Sequence, residues 1–337
     1  MDRSPVAITM PVEDGLPVGW LTDLVVDAEH AGIDAALVGE VAGPEVFATL
    51  GAMAARTERI TLGSGIAAVY TRSPALTAMG FATLASLAPG RVVAGIGASS
   101  PIVVGRWHGV DFDRPLSTVR EFIGLLRSAL AGEKLHHDGP RFRSRGFRLD
   151  LPAATVPVWL GAINPRMLAL AGEIADAVFM TWCPPSEAAP KREIVDAAAA
   201  GAGRDPGDVA TVLSFWAYAG PDPERALERM RRQVLAYAMV PTHQPAFAGT
   251  FENLPEVADA WQRGHRARAL SLVPDEAVLA QCAVGPDMMD ERIADYRAAG
   301  VDLPVVLLTG AHVGDDVGPQ ATVDALSHKV PPIGPRS

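Results

Sequence analysis

One feature constrains this chain more than any other. Short apolar runs rich in Val, Ile and Ala alternate with longer amphipathic stretches, from residue 6 to residue 310. The strand candidates are 6–10 (VAITM), 34–39, 60–66, 91–97, 156–162, 176–182, 209–220 and 303–310. Helical spacing occupies 20–31, 45–56, 73–87, 117–130, 165–174, 187–202, 223–240 and 287–299. Gly32, Pro89-Gly90 and Gly300 act as stops. Strands apolar on both faces suit parallel pairing under helices, and eight such units predict a (β/α)8 barrel in one domain spanning 1–337. A doubly wound open sheet is the competing architecture. Three stretches interrupt the alternation, at about 99–116, 132–155 and 241–272.

The length of 337 residues, with 49% hydrophobic and 20% charged, supplies a large core. The net charge of −10 argues against nucleic acid and anionic membranes as partners. Cys183 and Cys282 fit no disulfide framework or zinc spacing. The first residues lack a signal pattern, and no apolar run has the length to span a bilayer. The expectation is a cytoplasmic protein acting on a small molecule.

A barrel of this kind builds its site at the C-terminal ends of its strands. Those ends are unusually bare: Ser64-Gly65-Ile66-Ala67-Ala68 on strand three, Gly97-Ala98-Ser99 on strand four, and Gly161-Ala162-Ile163-Asn164 on strand five. Small residues there predict a wide, shallow floor of backbone N–H groups, suited to a flat ring with a phosphate tail. The GIGASS stretch lacks a third glycine, and Pro101 interrupts its helix, so it does not read as a dinucleotide fingerprint. The histidines are scattered and predict no metal site, and no GxSxG elbow occurs. With no hydrolytic machinery, a cofactor must carry the chemistry.

Four stretches, 28–40, 59–98, 114–134 and 156–180, resemble the bacterial luciferase-like family in order. The likeness is to its branch that uses coenzyme F420, an 8-hydroxy-5-deazaflavin, and within that to methylenetetrahydromethanopterin reductases. The resemblance implies a (β/α)8 barrel with insertions and hydride transfer at deazaflavin C5. It also implies a non-proline cis peptide at Gly65–Ile66 behind the cofactor's middle ring. By the same likeness Gly39, Glu40, Ser64, Gly65, Ile66, Ala67, Gly97, Ala98, Ser99, Gly161, Ala162, Ile163, Asn164, Ala177, Val178 and Thr181 would contact the cofactor. Relatives commonly carry an Asp-His pair after strand two, where this chain has Gly39-Glu40. Glu40 is therefore the candidate catalytic proton donor, with a helix-capping carboxylate as its alternative role. Arg141, Arg143, Arg145 and Arg148, aided by Arg72 and Arg106, would hold the cofactor's polyglutamate tail. Trp107, Trp182 and Trp216, with His108, are candidates to line a substrate pocket. A homodimer or larger homo-oligomer is expected, joined by the helices beside strands one to three. An FMN-dependent monooxygenase and a non-catalytic flavin-binding member of the family are the alternatives.

Overall fold

The computed structural model describes residues 4–327. Eight parallel strands close a barrel: Ala7–Thr9, Ala35–Val38, Thr61–Ser64, Val92–Gly97, Val158–Gly161, Ala177–Thr181, Ala210–Tyr218 and Leu303–Leu308, hereafter strands one to eight. Strand one pairs with strand two at Ala7↔Ala35 and with strand eight at Ala7↔Val305, which closes the ring. Alternation explains why every run is apolar. Ala7, Leu37, Val93, Trp159, Phe179, Val212 and Val305 fill the interior. The intervening Ile8, Ala36, Ala94, Leu160, Val178, Leu213 and Val306 are buried under the helices outside.

The helices follow the periodic stretches closely. Pro74–Leu87, Pro115–Leu130, Pro165–Ile174, Pro185–Gly201, Pro223–Ala238 and Pro286–Ala298 each place proline in the first turn, where a missing N–H costs nothing. Gly32 follows helix Val18–His30 with φ +78°, the left-handed stop its position predicts.

The irregular stretches hold more structure than expected. Residues 99–116 contain one wide helical turn, Ile102–Trp107. Within 132–155, Leu135–Asp138 and Arg143–Phe147 form an antiparallel hairpin. Glu121 anchors it, accepting from Phe142 N at 3.0 Å and meeting His137 Nε2 at 2.7 Å. Residues 241–272 fold into three short helices, Gln244–Phe247, Leu254–Gln262 and Arg266–Ser271. A short strand, Cys282–Val284, extends the sheet beside the end of strand seven, and Val317–Ser327 adds a helix beyond strand eight. Cys183 and Cys282 are buried and unlinked. No helix among the described residues is long and apolar enough to cross a membrane.

Candidate functional site at the barrel mouth

Strand three stops at Ser64, the Gly65–Ile66 peptide is cis, and Ala67–Ala68 resumes pairing with strand four at Ala67↔Ile96. Part of the bareness here is close backbone approach. A Cβ on Gly95 would lie 1.8 Å from the Ser64 carbonyl oxygen, and Ser64 Oγ donates to Gly95 O at 2.7 Å. The rest is space for one side chain. A Cβ on Gly97 would meet Ile66 Cδ1 at 3.1 Å, and one on Gly161 would meet Ile66 Cγ2 at 3.2 Å. The expected open floor of N–H groups is instead covered by Ile66, which spans the glycine ends of strands four and five. The result is an aliphatic platform.

Beside it, Ser99 adopts φ +62° and Ala98 packs on the outer core. Asn164 occupies the cap position of helix Pro165–Ile174, yet no side chain caps that helix. Its amide Nδ2 donates 3.0 Å to Thr242 O instead, tying strand five to the 241–272 segment. Pro165 carries no N–H, and Met167 N and Leu168 N donate to Asn164 O at 2.9 and 3.0 Å, so Arg166 N is the first-turn amide left for another acceptor. Ala162 N donates to Phe179 O at 3.0 Å, and Ile163 packs on an aromatic cluster. Thr181 stands half-buried at the mouth end of strand six. Ala177 and Val178 do not reach the mouth. They begin strand six, fully buried, and at about 3.3 Å per residue Ala177 lies about 13 Å below Thr181.

At strand two, a Cβ on Gly39 would approach Gly65 O at 3.5 Å. Glu40 accepts from Arg72 Nη2 at 2.5 Å and from its Nε at 3.4 Å. Arg72 also bonds Glu45 and lies 4.9 Å from the Phe47 ring centre. Glu45, not Glu40, caps helix Val46–Ala54, accepting from Ala48 N at 2.7 Å. Glu40 is therefore a guanidinium partner rather than a cap.

Strands six, seven and one form the other half of the mouth. Trp182, with φ +53°, stacks on Trp216 at 5.9 Å and meets Tyr237 at 4.8 Å and Phe247 at 5.3 Å. Both tryptophans are sealed, at 3% and 5% exposure, so they back a wall rather than line it. Trp107 is 55% exposed on the turn after strand four, apart from this cluster. His243 accepts or donates at Nδ1 to Thr242 Oγ1, 3.0 Å away, and its ring lies 5.5 Å from Tyr237. Burial pulls the His243 imidazole down to about 4. Burial also pushes the Tyr237 phenol well up, with the charge of Glu13 acting in the same sense. Glu13 is raised by burial and by neighbouring Asp14, against a smaller pull from Arg229. Burial lifts Asp14 to about 6, despite bonds to Arg229 and to Gly310 N at 2.6 Å.

Glu13, Tyr237 and His243 were not selected from sequence as site residues. The Glu13-Asp14 pair directly after strand one was the available signal, because that is a mouth-side strand end. Nothing local marks Tyr237, which sits in an ordinary amphipathic helix.

The basic segment divides. Arg141, at the hairpin tip, reaches Asp113 at 3.3 Å and lies 5.0 Å from the Tyr70 ring centre. Arg143 and Arg145 pair with Asp138 on the hairpin's exposed flank, and Arg148 donates to Gly132 O at 3.1 Å. Arg106 is exposed on the turn after strand four. Among the described residues, no three His, Cys, Asp or Glu side chains gather as metal ligands.

Comparison with known proteins finds one family and one fold. The family model for luciferase-like monooxygenases matches residues 7–303. A 5,10-methylenetetrahydromethanopterin reductase of Archaeoglobus fulgidus is 28% identical over 301 residues, covering 86% of this chain and 88% of that protein. An F420-dependent glucose-6-phosphate dehydrogenase of Mycolicibacterium fortuitum is 30% identical over 231 residues, covering 63% and 68%. The solved structure of the coenzyme F420-dependent tetrahydromethanopterin reductase from Methanopyrus kandleri superposes with a TM-score of 0.80 at 20% identity, covering 96% of this chain and 97% of that one. That likeness establishes the barrel fold.

Proposed function

The chain belongs to the luciferase-like monooxygenase family, and from that premise we propose that it is a cytoplasmic oxidoreductase using coenzyme F420 on a small organic substrate. One observation carries this reading: the Ile66 platform lies next to an uncapped helix start at Pro165. A planar, mostly uncharged ring system with a phosphate needs that pair of surfaces. The relatives' named activities, a reductase and an F420-dependent dehydrogenase, support it.

Bound there, the deazaflavin would supply hydride exchange at C5. Ile66 backs the ring, and the Arg166 amide at the helix start faces its phosphate. Gly39, Gly65, Ala98 and Ser99 bring backbone close to the ring edge. Glu40 keeps a place on the cofactor side by holding Arg72. The proton role passes to Glu13, a half-buried carboxyl whose proton burial and neighbouring Asp14 hold more tightly than usual. Trp182 and Trp216 keep water from the reacting face.

An FMN-dependent monooxygenase is the second reading, favoured by the description of the matching family. We also propose a homodimer through helix Pro74–Leu87. It carries no charged residue and exposes Leu76, Met79 and Leu87 at 52%, 46% and 49%. Sedimentation at micromolar concentration tests this; a monomer would contradict it. For the activity, oxidised F420 is incubated anaerobically with a panel of alcohols, and loss of its visible absorbance is followed. Turnover supports the reading. Oxygen uptake with reduced FMN, and no F420 turnover, would favour the monooxygenase.

A further inference from the structure

A cleft of about 680 Å³ opens on the flank of the barrel, between helices Pro115–Leu130 and Pro165–Ile174 and the hairpin turn at Pro140. Its floor is apolar, made by Leu116, Ala169 and Leu170. Its charges are unevenly matched. Glu173 is bound to Arg120. Glu121 is taken up by His137 Nε2 at 2.7 Å and by the amides of Arg141 and Phe142 at 3.3 and 3.0 Å. Arg166 lines the same cleft, and its guanidinium makes no hydrogen bond or ion pair among the described residues. Arg166 thus serves two surfaces. Its backbone amide is the donor left open at the helix start, and its side chain borders the cleft. A phosphate on the amide and an anionic chain continuing from it would be held by one residue.

The arginines expected to hold the cofactor's polyglutamate tail are mostly engaged elsewhere. Arg141 pairs with Asp113, Arg143 and Arg145 with Asp138, and Arg72 with Glu40 and Glu45, while Arg148 donates to Gly132 O. Arg106 is unpaired among the described residues but lies on the turn after strand four, outside the cleft. On the reading of the mouth as an F420 site, we propose that the glutamate tail runs along this cleft. Its first carboxylates meet the Arg166 guanidinium, and its methylenes lie on Leu116, Ala169 and Leu170. Charge limits the reach. Beyond Arg120, an adjoining cleft of about 460 Å³ sets Lys134 against Glu133 and offers no net attraction. The gain therefore belongs to the carboxylates nearest the phosphate, and further glutamates add nothing.

The test is a fluorescence titration of the purified full chain with two ligands: F420 carrying its glutamates, and F420 from which every glutamate has been removed. The intact cofactor should bind about fivefold more tightly, the upper end for a solvent-exposed ion pair. High salt should erase that gain. The gain should vanish in Arg166→Gln and persist in Arg143→Gln and Arg106→Gln. Binding of the deglutamylated ligand shows in each variant that the site is folded. A gain that survives Arg166→Gln, or that is lost in Arg143→Gln or Arg106→Gln instead, would overturn the proposal. Equal binding of both ligands by the unaltered protein would also overturn it while leaving the F420 reading in place. Binding of neither ligand would reject that reading, and the tail site with it.

Discussion

The two halves of the barrel mouth are built from different materials. Strands three to five present backbone and one aliphatic side chain, with glycines at 65, 95, 97 and 161 setting the spacing. Strands six, seven and one present side chains: stacked aromatics, a neutral histidine and a half-buried acid. A backbone-built surface suits a ligand that does not change, because any added Cβ collides. A side-chain surface is free to be rewritten without disturbing the strands. We read the first half as the cofactor side and the second as the place where substrate choice resides.

The sharpest break in this comparison comes from the first half. Gly95→Ala puts a Cβ 1.8 Å from Ser64 O, and should cost more than about 3 kcal/mol because backbone cannot yield as a side chain can. Denaturant midpoints measure it, and a near-native midpoint would refute the close approach. On the second half, Glu13→Gln should leave the fold intact and lower turnover about 100-fold, the low end for losing a general acid. Glu40→Gln, by contrast, should keep turnover within about tenfold. Reversed outcomes would return the proton role to Glu40.

What the sequence made legible follows from local pattern. All eight strands were readable because both faces are apolar, and helix Pro165–Ile174 was readable to the residue because Asn164-Pro165 opens it. The hairpin at 135–147 was not, because its strands are short and mostly polar and carry no apolar period. Site contacts were legible only where they are backbone. That Ile66 fills the glycine space is a tertiary fact, as is the Arg72–Glu40 pair across 32 residues. Ala177 and Val178 were misplaced because likeness fixes a strand but not which end of it faces the ligand.

Smaller effects sharpen the contrast. Ile66→Ala would uncover Gly97 and Gly161 and should weaken cofactor binding about tenfold, read by fluorescence titration, with a smaller loss of Tm. Stability against pH should carry the mark of the second half through two groups. His243 falls from 6.5 to about 4 on folding, so its contribution is complete above pH 6.5 and is lost as pH falls toward 4. Asp14 rises from 3.8 to about 6, so its contribution is present below pH 3.8 and is lost as pH rises through 6. His243→Asn should flatten the acid-side loss of Tm by a few degrees at most. Asp14→Asn should flatten the opposing slope. Unchanged profiles would mean neither group is buried as described.

The central claim is that the strand-three-to-five half holds a deazaflavin. Fluorescence titration of the purified protein with oxidised coenzyme F420, in parallel with FMN, tests it most directly. The proposed function predicts saturable F420 binding and none for FMN, with the F420 affinity reduced in Ile66→Ala. FMN binding alone, or binding of neither, would contradict the claim.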